Sequence, residues 1–230
     1  MTIKFRSDVT VNLIQSMASD DAVVMAARVS TGAEANEKRD AGLINYLMRD
    51  RHGSPFEHNA FTFYIEAPIF VFREFMRHRI ASYNEESGRY KELEPVFYVP
   101  GADRKLQQIG KPGAYVFEEG TYEQKMSVPA TTMRLYDEAY SAYTSMLNKG
   151  VAREVARTVL PVGIYSSMYV TMNARSLMNF LSLRTTREGT HFPSFPQREI
   201  EMVAEKMEEF FAEKMPVTYE TFNKNGRVAP

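Results

Sequence analysis

The densest chemistry in this sequence lies in REFMRHRIASYNEESGRY, residues 73 to 90, where Arg73, Arg77, His78, Arg79 and Arg89 surround Ser82, Asn84, Ser87 and Gly88. A guanidinium is a planar fork of donors matched to phosphate oxygens. Ser-Gly-Arg can bring a hydroxyl, a backbone amide and that fork to one anion. The types and spacing therefore point to recognition of a phosphorylated ligand such as a nucleotide. The same Arg and Glu residues would also serve as a solvated helix end with ordinary surface pairs. His52 and His58 raise the question of a metal, but a spacing of six puts them on different helical faces and no carboxylate cluster completes a site, so no metal is expected. There is no cysteine, which removes disulfides, thiolate metal sites and thiol nucleophiles together. Nor is there a GxGxxG fingerprint for a Rossmann site.

These residues need elements to hold them. In NAFTFYIEAP, Phe61, Phe63 and Ile65 alternate with Thr62, Tyr64 and Glu66, the period of a half-buried strand closed by Pro68. Pro68 also suits the first turn of a helix through IFVFREFMRHR, which puts the next loop near Arg79. Residues 3–14 read as one strand, Asp20 or Asp21 as the cap of a short helix to about Val29, and Ser30, Thr31 and Gly32 as a break. A helical stripe then runs from about Ala35 to Arg49, ended by Gly53, Ser54 and Pro55.

Residues 95–127 lack period and read as an extended connection or insertion. Beyond Pro129 a helix runs to a Gly150 cap, and AREVARTVL makes a second one before Pro161. IYSSMYVTM reads as a strand and ARSLMNFLSLR as a helix. The latter sets Asn173 and Arg184 on nearly one face, about three turns apart. Pro196 opens a final helix with the stripe Ile200, Val203, Ala204, Met207, Phe210 and Phe211, and Pro216 ends it. TTREGTHFPSFP, after Arg184, reads as a loop. The pattern is α+β with more helix than strand.

With 230 residues and ordinary proportions of hydrophobic and charged types, one domain spanning 1–230 is expected, with a two-lobed unit as the alternative. A net charge of −1 argues against a general nucleic-acid coat, so any anion site is local. The amino-terminal segment lacks a signal-peptide core and no stretch reaches the ~18 apolar residues of a span, so a cytoplasmic protein without membrane association is expected.

The Arg-rich segment resembles the signature of flavin-dependent thymidylate synthases, Arg-His-Arg followed after seven residues by Ser. Arg77, His78, Arg79 and Ser87 fit it, with Ser82, Asn84, Gly88, Arg89 and Tyr90 also in the family's likeness. AARVS (26–30), HGSPFEH (52–58), REVARTVLP (153–161) and NARSLMNFLSLR (173–184) resemble further family blocks in family order, so the likeness covers most of the chain.

That resemblance implies an α+β, helix-rich fold with a mainly antiparallel sheet flanked by helices, assembling as a homotetramer whose active sites are shared between subunits. It implies FAD as cofactor, with Arg77, His78, Arg79, Ser54, Glu57, Asn173, Arg175 and Asn179 around it and Ser30 as a further candidate. It implies a dUMP site made of Arg77, Glu85, Ser87, Gly88, Arg89, Arg157 and Arg184. Glu74 stands where the family commonly has Gln beside the nucleotide. Arg184 would act on the uracil by favouring its ionised form, and His52 would sit near flavin and folate. Without the resemblance, Arg157 could equally pair along a helix with Arg153 and Glu154, Arg184 could answer a helix carboxyl end, and His52 could be a surface residue.

The implied reaction takes the methylene of 5,10-methylenetetrahydrofolate to carbon 5 of dUMP, with hydride from flavin reduced by NADPH, giving dTMP and tetrahydrofolate. Competing readings are a nucleic-acid-binding module using the Arg cluster with Tyr83 and Tyr90, and a metal-dependent nucleotide hydrolase.

Overall fold

A computed structural model describes residues 2–30, 32 and 37–230. In chain order the elements are β1 (Lys4–Arg6), β2 (Thr10–Met17), α1 (Asp20–Arg28), α2 (Glu37–Arg49), a 3-10 turn (Ser54–Glu57), β3 (Ala60–Pro68), α3 (Ile69–Phe75) and β4 (Ser82–Glu85). They continue with β5 (Val96–Tyr98), β6 (Gln107–Lys111), β7 (Ala114–Glu118), α4 (Tyr122–Asn148), α5 (Arg153–Ala156), a second 3-10 turn (Arg157–Val159), β8 (Tyr165–Met172), α6 (Ala174–Arg184), α7 (Arg198–Lys214) and α8 (Pro216–Lys224). The class is α+β with an antiparallel sheet, whose order is β2-β3-β8-β4. A short parallel pair, β1 with β5, and an antiparallel hairpin, β6 with β7, complete the strands.

Two compact units are built from discontinuous segments: Met1–Val9, Glu66–Glu74 and Glu85–Met168 in the first, Thr10–Ile65, Phe75–Asn84 and Tyr169–Pro230 in the second. In the first, α4 supplies Tyr140 and Tyr143 to a core with Leu93, Phe97, Ala156 and Ile164. The two hydroxyls find partners in the Leu93 backbone, which keeps their burial inexpensive. In the second, Phe61, Phe63 and Ile65 of β3 are fully buried, as the alternation requires. Phe211 of α7 meets the edge of Phe61 at 6.1 Å, and burying each such ring is worth roughly 1.5–3 kcal/mol.

Several sequence expectations need correction. The strand over 3–14 is two strands in different sheets, β1 pairing with β5 and β2 with β3, and between them the Asp8 carbonyl accepts from Tyr165 Oη at 2.6 Å. The cap of α1 is Ser19, whose side chain accepts from the Ala22 amide. Asp20 instead accepts from the Val217 and Thr218 amides at the start of α8. Pro216, expected only to end α7, opens α8. The helix begun at Pro129 starts at Tyr122, set by a capping box between Thr121 and Gln124, and carries Pro129 within it. The helix expected through Arg79 stops at Phe75, and β4 follows. The break at Thr31 and the helix start at Ala35 lie outside the described residues. The helix ARSLMNFLSLR spans Ala174–Arg184 as expected.

Candidate active site

The residues singled out above fall into two groups, one in each unit. In the second unit α3 ends at Phe75, and the turn after it presents Arg77 and Arg79 exposed and His78 half-buried. That turn is closed by the His78 amide donating to the Phe75 carbonyl at 2.8 Å. Tyr83 Oη donates toward the carbonyls of Phe75 at 2.9 Å and His78 at 2.7 Å. Burial pushes the Tyr83 phenol up to about 12, which keeps it a neutral donor.

His78 Nε2 accepts from Arg184 Nε at 3.1 Å, so Arg184 at the end of α6 is held by the very turn the sequence singled out. The imidazole lies edge-on to Phe180 at 4.9 Å, and Phe180 stacks on Phe75 at 4.7 Å. Burial first, and then the Arg184 charge, lower the His78 pKa to about 4. At neutral pH the ring is therefore uncharged and able to accept.

The other end of α6 gathers more of the expected residues. Asn173 is the N-cap, its side chain accepting from the Ser176 amide at 2.9 Å. Arg175 donates to Glu57 Oε1 and to the Pro230 carbonyl, both at 2.5 Å. Gly53 is tight against this pair: a Cβ there would lie 2.6 Å from the Arg175 guanidinium and 2.7 Å from the Pro230 oxygen. Asn179 Nδ2 donates to the Arg175 carbonyl at 3.2 Å. Ser54 is exposed at the start of its 3-10 turn. Ser30 Oγ donates to the Ala27 carbonyl at 3.0 Å, and His52 is exposed and stacked on Tyr46 at 5.4 Å.

In the first unit, half-buried Glu74 belongs to α3. Glu85 ends β4 and lines a cavity of about 230 Å³ together with Glu86, Gly88, Arg157, Thr158 and Ser166. That size suits a pyrimidine better than a drug-sized ligand, whose pockets run to about 300–1,000 Å³. Burial raises the Glu85 pKa and the Glu86 charge adds to this, while the Ser166 hydroxyl and Arg157 oppose it. Glu86 is held by Lys91 at 2.6 Å and by Ser167 Oγ at 3.3 Å.

Ser87 turns the chain, its carbonyl accepting from the Tyr90 amide at 3.0 Å and its hydroxyl from the Arg89 amide at 3.3 Å. Gly88 is buried, and a Cβ would come within 3.2 Å of Leu93 and 3.3 Å of Arg157, so glycine lets Arg157 approach. Arg89 pairs with Glu154 at 3.0 Å, with both side chains more than half exposed. Such a pair is worth ~0–1 kcal/mol. Thus Glu85, Gly88 and Arg157 share one cavity, while Arg77 and Arg184 belong to the second unit.

Sequence reasoning missed Ser166, for which no motif gives a signal, and weighed Tyr83 only as an aromatic surface residue. Its position two residues before Glu85 on an alternating polar strand was the available hint.

The chain matches the family model described as thymidylate synthase complementing protein over residues 12–217. It is 64% identical over 234 residues to a flavin-dependent thymidylate synthase of Streptomyces avermitilis, covering 98% of this chain and 95% of that one. To the enzyme of the same description from Thermotoga neapolitana it is 46% identical over 215 residues, covering 93% and 90%. Among solved structures it is similar to a UMP/dUMP methylase PolB from Streptomyces cacaoi. With 5-Br UMP bound, the TM-score is 0.93 at 55% identity, covering 99% of both chains. With 5-Br dUMP bound, it is 0.94 at 53%, covering 99% of this chain and all of that one.

Proposed function

The chain belongs to the flavin-dependent thymidylate synthase family, and from that premise we propose how its residues divide the work of methylating dUMP. The reading rests on one observation, the turn Ser87-Gly88-Arg89 set beside a cavity lined by Glu85, Gly88 and Arg157. Arg89 and Arg157 hold the phosphate, with the Ser87 hydroxyl and the neighbouring backbone amides adding donors. The PolB structures carrying bromo-dUMP and bromo-UMP support a pyrimidine nucleotide as the ligand.

Ser87 binds and does not attack. Its hydroxyl accepts from the Arg89 amide, and nearby Glu86 is already engaged by Lys91 and Ser167, which supports the binding role. Arg184, whose Nε donates to His78, stabilises negative charge on the uracil ring with its guanidinium. Glu74 borders the same nucleotide, and His52 stands beside the folate.

The donor set fits FAD. A dinucleotide needs cations for its pyrophosphate and several amide partners, and the exposed Arg77 and Arg79, the Asn173 cap, Asn179 and the Glu57-Arg175 pair offer them, with Ser54 and Ser30 as further donors. Reduced FAD, regenerated by NADPH, would supply the hydride that completes the methyl group delivered from 5,10-methylenetetrahydrofolate. The protein's own part is to orient the ligands and exclude competing geometries. A homotetramer with shared sites and a cytoplasmic location complete the reading. Among the described residues no helix is long and apolar enough to cross a membrane.

The test is Arg157→Ala. It should raise the KM for dUMP by roughly tenfold or more, as loss of a charge-assisted contact implies, while bound flavin per chain stays constant. An unchanged KM would move the nucleotide elsewhere.

A further inference from the structure

Helix α3 is a single short element, and its last carbonyls have no partner within the helix. Continuing the helix would have satisfied them, and the sequence through Arg79 could have done so. Instead the chain leaves at Phe75, and a tyrosine eight residues on takes up both the Phe75 and His78 carbonyls with one hydroxyl. Tyr83 sits in β4, which neighbours β8 in the four-stranded sheet, so its ring starts from a fixed backbone. The turn itself contributes only a short amide bond from His78 to Phe75. From His78 the chain of contacts continues, its ring braced by Phe180 and bonded to Arg184 Nε.

We propose that Tyr83 is a positioning residue for thymidylate synthesis: its hydroxyl fixes the turn that presents Arg77, His78 and Arg79, and through His78 it sets the plane of Arg184. Tyr83 acts through the two carbonyls. This rests on the reading above that the turn meets the flavin and that Arg184 meets the pyrimidine.

The experiment is Tyr83→Phe, which deletes one oxygen and keeps the ring. Tyr165→Phe serves as the control, since Tyr165 likewise donates its hydroxyl to a backbone carbonyl, that of Asp8 at 2.6 Å, and does not line the cavity. Arg79→Ala is run alongside. For each holoenzyme the FAD dissociation constant, the kcat and KM for dUMP at saturating FAD, and the Tm are measured.

Tyr83→Phe should weaken FAD binding and lower kcat by roughly two- to tenfold each, the range spanned by a hydrogen bond of about 0.5–1.5 kcal/mol. The KM for dUMP should change less than kcat. Tyr165→Phe should lower Tm alone. If Tyr83→Phe also shifts only Tm, the hydroxyl is merely structural and the proposal is overturned. If Arg79→Ala weakens FAD while Tyr83→Phe does not, the positioning role fails and the flavin reading stands. If neither affects FAD or kcat, both fall.

Discussion

Gly53→Ala isolates the steric logic around Arg175. Gly53 sits at φ −77° and ψ −30°, an ordinary helical conformation, so alanine fits the backbone without strain. On that ground alone the change should stabilise the fold by about 0.4–1 kcal/mol through the unfolded state. The surroundings reverse the sign. The new Cβ would stand 2.6 Å from Arg175 Cζ and Nε and 2.7 Å from the Pro230 carbonyl oxygen, against the ~3.5–4.0 Å at which carbon contacts are comfortable.

The guanidinium can swing away, but only by giving up its bonds to Glu57 and Pro230. The Glu57 pair has side chains 41% and 42% exposed, so its loss costs no more than about 1 kcal/mol. The Pro230 carbonyl is backbone and must move as well. Overpacking of this kind costs about 1–3 kcal/mol. Net of the backbone gain, the change should destabilise by about 1–2 kcal/mol, which for a chain of this size lowers Tm by about 2–8 °C. FAD affinity should fall with it, because Arg175 and Glu57 leave their arrangement. The assay is thermal unfolding of the flavin-free protein together with FAD titration. In an Arg175→Ala background the same glycine change should cost less. A Gly53→Ala protein with wild-type or higher Tm and unchanged FAD affinity would refute the reasoning.

Arg184→Ala should lower thymidylate formation by about 10²–10³, the usual cost of removing one donor that stabilises developing charge, while flavin per chain stays near wild type; equal modest losses in both would point to damage to α6. For His78, the folded pKa of about 4 lies below the ordinary 6.5, so the unfolded chain takes up the proton first as pH falls. Its contribution is therefore fully present above pH 6.5 and is lost as pH falls from 6.5 towards 4. His78→Gln, which keeps an acceptor for Arg184, should flatten that slope in urea unfolding followed from pH 4 to 8, and identical slopes would contradict it. Arg227→Ala should cost about 3 kcal/mol, since it leaves Glu208, 5% exposed, without its 2.6 Å partner, although Arg187 and Tyr219 still face that carboxylate. A Tm change within 2 °C would show the pair to be dispensable.

Local patterns were legible where local forces decide. Helix α6 spans the segment ARSLMNFLSLR that reads as a helix, and β3 buries the alternating face that its sequence shows. What escaped depends on distant partners. Asp20 looks like an N-cap, yet it serves α8 nearly two hundred residues on, leaving Ser19 to cap α1. Helix α3 ends at Phe75, whose carbonyl accepts from Tyr83, and nothing between Ile69 and Arg79 announces it. Pro129 reads as a helix start, although the capping box at Thr121 was in plain view upstream.

The site divides in the same way. Residue types and spacing identify Arg77, His78, Arg79, Ser87, Gly88 and Arg89 as a group, and the family resemblance adds Glu85. The contact between His78 and Arg184 joins residues 106 positions apart. The clamp of Pro230 on Arg175 spans 55. Both arise from tertiary packing alone.

The chain has no cysteine, so no thiol adduct can form with the uracil, and the proposed reaction draws its hydride from bound flavin rather than from the folate. The direct measurement is the folate product of turnover by the purified FAD-loaded protein supplied with dUMP, 5,10-methylenetetrahydrofolate and NADPH. The expected result is tetrahydrofolate and dTMP in equal amounts, with both lost when FAD is removed and restored when it is added back. Dihydrofolate formed in step with dTMP, or dTMP formed equally well by flavin-free protein, would contradict it.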